Sequence, residues 1–124
     1  MSHPTGEEVV AALTALAAAQ DLRRRAFDAC RKWIRDGAAE GPDGLRGWSA
    51  EEIEPHFRSC ALYFESGILE YPFVATRLDL CVRDDSGTYF RGLRPVGFYR
   101  LITRLDGSDE DDYFVLDTDE LAGG

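Results

Sequence analysis

The chain has no apolar run long enough to span a bilayer. The longest, residues 9–19, is eleven residues and is broken by Thr14, whereas a spanning helix needs about 20. The amino end also lacks a basic stretch followed by an apolar one, so no secretory leader is read there and a cytoplasmic setting without membrane contact is expected. Cysteine is scarce and odd in number. Cys30, Cys60 and Cys81 are irregularly spaced with no C-x-x-C pair, which argues against a disulfide framework. Histidine is scarcer still, at His3 and His56. His56 and Cys60 stand i,i+4, but two ligands do not make a zinc site, and Pro55 opposes the helix that would bring them together. No metal and no cofactor is expected. Glycine-rich phosphate loops, a G-x-S-x-G elbow and an H-E-x-x-H pair are all missing, which removes the common nucleotide-binding and hydrolase signatures.

Lysine is nearly absent as well. Thirteen of the fourteen bases are arginine, beside abundant alanine and glycine, a usage that points to a GC-rich genome, as in many bacteria, and to no mechanism by itself. Against them stand 23 acidic residues, a net charge of −9 that repels a polyphosphate, so nucleic acid is not an expected partner. Arg23, Arg24 and Arg25 form a local basic knot, but on a helix three successive side chains fan over about 200°, too wide for one phosphate clamp.

What is present suffices for a core: 44% of the 124 residues are hydrophobic and 11% aromatic, and the length suits a single domain over residues 1–124. Thr5-Gly6-Glu7-Glu8 has capping-box spacing. No glycine or proline follows until Gly37, while Val9, Leu13, Leu16, Ala17, Phe27, Cys30, Trp33 and Ile34 recur at helical spacing. The stripe thins near Gln20 and Asp21, so residues 5–36 are read as one long bent helix or two, with Gly37 as the carboxy-terminal cap. Residues 37–47 read as a loop. Ser49-Ala50-Glu51-Glu52 repeats the capping box, with Trp48 in the staple position, as a short helical turn ahead of Pro55.

From residue 58 onward β-branched and aromatic residues dominate. Candidate strands are 60–66, 74–83, 88–91, 97–105 and 113–116, followed by an acidic tail at 118–124; Asp84-Asp85-Ser86-Gly87 and Asp106-Gly107 supply the turns, and Pro95 interrupts. Alternation puts Val74, Thr76, Leu78, Leu80 and Val82 on one face against Ala75, Arg77, Asp79, Cys81 and Arg83. In the next long strand Tyr99, Leu101 and Thr103 oppose Phe98, Arg100 and Ile102. A helical half at about 5–55 and a sheet half at about 58–117 make an α+β domain, with helices on one face of a four- to five-stranded antiparallel sheet. In element order alone this is similar to small cone-shaped or cystatin-like folds; no motif accompanies the likeness, so no residue role follows from it.

The acidic cluster Asp106, Asp109, Glu110, Asp111 and Asp112 lacks the alternate ligands and terminal glutamate of a calcium loop, and is read as an exposed hairpin whose charges keep sheet edges apart. The candidate binding residues are Arg77, Asp79, Cys81, Tyr99 and Arg100. Aromatic and arginine side chains are enriched in protein interfaces, and the outward sheet face carries both types. The leading expectation is a module that binds a protein, or a second copy of itself, through that face without catalysis, as an inhibitor or immunity-type partner of a basic target. The alternative is a small-ligand pocket lined by Asp79, Arg77, Arg100 and Tyr99, with Asp79 as a general base. Buried, inert thiols are the commoner expectation; if any of the three reacts, Cys81 is favoured, because alternation places it on the face opposite Leu78 and Leu80.

Overall fold

The computed structural model describes residues 7, 8, 10, 11, 14, 15, 21–41, 43–63 and 72–116. The capping box at Thr5, residues 64–66 of the first candidate strand and the acidic tail lie outside these. The six described residues of the amino-terminal stretch are helical and exposed. Helix α1 spans Leu22–Ala39. It begins after Asp21, whose φ of 51° is left-handed, so right-handed helix does not run through the point where the apolar stripe thins. Leu22, Ala26, Cys30 and Ile34, each four residues from the last, form its buried stripe.

The helix does not stop at Gly37. It continues to Ala39, and the left-handed residue after its end is Gly41, at φ 107°. Gly37 instead lets the following loop fold back onto the helix: a Cβ built on Gly44 would stand 1.9 Å from the Gly37 carbonyl oxygen. That approach, open only to a residue without a side chain, seats Leu45 in the core at 1% exposure. The Ser49 capping box forms as read: Ser49 N–H donates to Glu52 Oε1 at 2.9 Å and Glu52 N–H to Ser49 Oγ at 3.3 Å.

Four antiparallel strands follow in the order of the chain: β1 Glu54–Tyr63, β2 Phe73–Arg83, β3 Leu93–Arg104 and β4 Asp109–Leu116. No helix runs through Pro55, as read, whereas Pro95, read as an interruption, is taken into a strand. Pro55 sits in β1, an edge strand, and Pro95 sits in β3 at a bulge where Leu80 pairs Gly97 and Cys81 pairs Pro95. The candidate strand at 88–91 is absent. Its residues belong to a loop closed by Asp84 N–H donating to the Gly92 carbonyl at 2.8 Å, with a single 3-10 turn at Phe90–Gly92 and Arg91 at φ 57°. The acids Asp109 to Asp112 are likewise not in a hairpin loop but in β4, the opposite edge. Their like charges disfavour pairing of this edge with a second copy of itself.

Leu78, Leu80, Val82, Val96, Tyr99, Leu101 and Leu116 pack against Ala26, Cys30 and Ile34, with Leu45 and Ile53 closing the core. Phe73, Ala75 and Ile102 form a smaller buried group on the other face, with Tyr63 stacked on Phe73 at 5.0 Å. The three arginines at the start of α1 diverge. Arg23 lies over the Phe57 ring, Arg24 pairs with Asp21, and Arg25 reaches Asp109 and the Gly107 carbonyl, tying the helix start to the β3–β4 turn.

Candidate functional site

Strand alternation builds the site on the sheet face away from α1. β2 presents Arg77 and Asp79, and β3 presents Phe98 and Arg100. The register sets Arg77 beside Arg100 and Asp79 beside Phe98. The guanidinium of Arg77 stands 4.7 Å from the Phe98 ring centre and that of Arg100 5.6 Å, so one aromatic ring supports two cations. Asp79 is held from both sides: Arg77 Nε donates to Oδ1 at 3.3 Å and Arg58 Nη1 to Oδ2 at 3.0 Å.

Arg58 was not among the residues singled out from the sequence. It is the extra residue of a bulge between Phe57 and Ser59, which turns it toward Asp79. The same bulge puts His56 opposite Asp79 and Cys60 opposite Thr76, whose hydroxyl is 3.5 Å from the Cys60 sulfur, so the imidazole and the thiol do not meet. Among the described residues no three His, Cys, Asp or Glu side chains group as metal ligands.

On the outer edge of this patch, Arg100 pairs across the strands with Tyr113 and Phe98 with Val115. Both edge residues are large and exposed, at 41% and 38%. A hydrogen bond to Asp111 raises the Tyr113 phenol above its ordinary value, which keeps it a neutral donor. Arg58, Arg77 and Arg100 against Asp79 and the Asp111 beside Tyr113 leave the patch with a small positive excess on a chain of net charge −9.

Two of the expected residues behave differently. Cys81 is buried, at 7% exposure. Burial first, then the neighbouring Asp79 and Glu54 charges, push its thiol up, so it is a protonated filler and not an accessible nucleophile. Tyr99 points the opposite way, into the helix-covered core, with no exposure. Its hydroxyl donates to Asp112 Oδ2 at 2.9 Å, and the same oxygen accepts Trp33 Nε1 at 2.8 Å. Burial and that bond raise its phenol well above the ordinary range. The structure therefore brings Arg77, Asp79 and Arg100 together and places Tyr99 on the other side of the sheet, so no pocket forms from all four.

No family model, curated protein or solved structure matches this chain. No helix among the described residues is long and apolar enough to cross a membrane.

Proposed function

We propose that the chain is a non-catalytic protein-interaction module of the inhibitor or immunity type, which docks its partner on the sheet face away from α1. The partner is another protein or a second copy of the chain. The observation that supports this reading is the cluster at Phe98: two guanidinia on one ring, a third arginine bridged through Asp79, and exposed Tyr113 and Val115 alongside. Arginine and tyrosine are over-represented among residues that dominate binding energy, and a rigid sheet presents them without loop-ordering cost.

The test is affinity capture from native lysate at low and high salt with the wild-type chain and with Arg77→Glu/Arg100→Glu, followed by light scattering on the eluate. A stoichiometric partner, or a homodimer, that the wild type retains and the charge-reversed variant loses while its circular dichroism is unchanged is the expected result. A partner held equally by both proteins, or a wild type that stays monomeric and partnerless, would overturn the assignment.

A further inference from the structure

A second site lies on the helix side of the sheet, independent of the face just described. Between the carboxy-terminal half of α1 and β4 is a cleft of about 570 Å³, whose lining includes Trp33, Asp36, Glu40, Asp112, Phe114 and Lys32. Its aromatic wall is preformed. Trp33 stacks on Phe114 with ring centres 5.9 Å apart and planes inclined by 2°, and its indole N–H is fixed by Asp112. Trp33 nevertheless remains 44% exposed, an unusual position for a held indole, and the bond to a carboxylate enriches the electron density of its ring.

The charges around that wall are unbalanced. Three carboxylates face a single ammonium. Asp36 and Glu40 have no side-chain hydrogen bond or ion pair among the described residues, while Asp112 spends one oxygen on Trp33 and Tyr99. The last turn of α1 contains no basic residue, so the negative end of the helix dipole is offset by no cation of its own and is reinforced by Asp36 and the capping Glu40. A flat electron-rich ring, carboxylates at its rim and a helix carboxy terminus all favour one chemical group, a planar cation that stacks and donates bidentate hydrogen bonds. We infer that this cleft receives an arginine side chain presented by a basic segment of a partner protein. The overall charge of −9 favours the approach of such a segment.

The test follows the indole N–H signals of Trp33 and Trp48 by nitrogen-15 NMR during titration with the peptide Gly-Gly-Arg-Gly-Arg-Gly, its citrulline counterpart, and N-acetyl-arginine amide. The expected result is a saturable shift of the Trp33 signal with Trp48 unmoved, and affinity at least about tenfold lower for the neutral citrulline peptide. Free arginine amide should bind more weakly than the peptide. Asp36→Asn/Glu40→Gln should weaken the arginine peptide about tenfold. Both side chains are exposed, so the fold and the Trp48 signal should stay unchanged. Equal response to citrulline, an unchanged affinity in the double variant, or no saturable Trp33 shift would overturn the inference. Equal binding of the free amide would overturn a protein segment as the occupant. Arg77→Glu/Arg100→Glu should leave this titration unaltered, which separates it from the sheet-face reading.

Discussion

The phenol of Tyr99 and the carboxylate of Asp112 are joined at 2.9 Å across the helix-facing side of the β3–β4 pair, and Trp33 of α1 bonds the same carboxylate oxygen. One half-buried acid thus links helix, central strand and edge strand, and satisfies the one polar atom of the largest fully buried side chain.

Replacing Tyr99 with Phe should cost about 2 kcal/mol, the net worth of a hydrogen bond from a neutral donor to a carboxylate, with Asp112 keeping its Trp33 partner. The variant should also respond less to alkali. Tyr99 holds its proton in the folded chain above the pH, about 10, at which unfolded tyrosine loses it. Its contribution is complete below that pH and falls as pH rises towards the folded value. Cys30 acts in the same direction, its thiol pushed by burial up to about 12 from an unfolded value near 8.5. Urea midpoints between pH 8 and 11 should therefore decline for both proteins, less steeply for Tyr99→Phe. Parallel declines would exclude Tyr99 as a source of the alkaline limb.

Acid should weaken the fold through a different set of groups. Glu54 is depressed first by its hydrogen bond to Arg83, Asp84 by Ser86 and Asp106 by Ser108. Carboxyls lowered in the folded state stabilise it above their unfolded values, near 4, and that stability is lost as pH falls through the folded values. Asp106→Asn keeps an acceptor for Ser108 but has no proton to gain. Its Tm should fall less between pH 6 and pH 3 than that of the wild type, and an identical fall would remove this turn from the acid response.

Close backbone approach predicts a contrast between two glycines. Alanine at Gly44 places a methyl carbon 1.9 Å from the Gly37 carbonyl oxygen, and two backbones must part, a change expected to cost about 3 kcal/mol. Alanine at Gly87 meets no atom within 4 Å and suffers only its φ of 80°, about 1 kcal/mol. Guanidinium denaturation of both variants should preserve that order; a Gly44→Ala protein as stable as Gly87→Ala would contradict the packing of the loop on α1.

Thiol labelling reads burial independently of strand face. Cys30 is fully buried and Cys81 nearly so, whereas Cys60 is half-buried on an edge strand. Ellman's reagent should modify Cys60 first in the native protein and the other two only on unfolding, and Cys60→Ala should abolish the native phase. A fast phase that survives Cys60→Ala would assign accessibility to the wrong thiol.

Local rules were sufficient for the parts of this protein that depend on residues close in sequence. The period-2 pattern of residues 74–83 gave the correct apolar face of β2, the Ser49 box formed, and Gly87 and Gly107 take the positive φ that their turns demand. Alternation in β3 also set Tyr99 against Arg100, so a pocket combining them conflicted with the pattern itself. What local pattern could not supply was the position of the bulges. One extra residue at Arg58 reverses the faces that follow, turning Cys60 inward and Arg58 onto Asp79, and another at Val96 admits Pro95 to a strand. Nor did helical spacing separate the buried Leu22 and Ala26 from the exposed Trp33, because only β4 supplies the Phe114 ring and the Asp112 carboxylate that hold the indole at the surface. Sequence by itself determined the antiparallel α+β class, through hydrophobic period and turn chemistry acting over a few residues. Tertiary structure alone decided which side chains share a face or a cleft, because cross-strand register and helix docking are fixed by contacts between residues far apart in the chain.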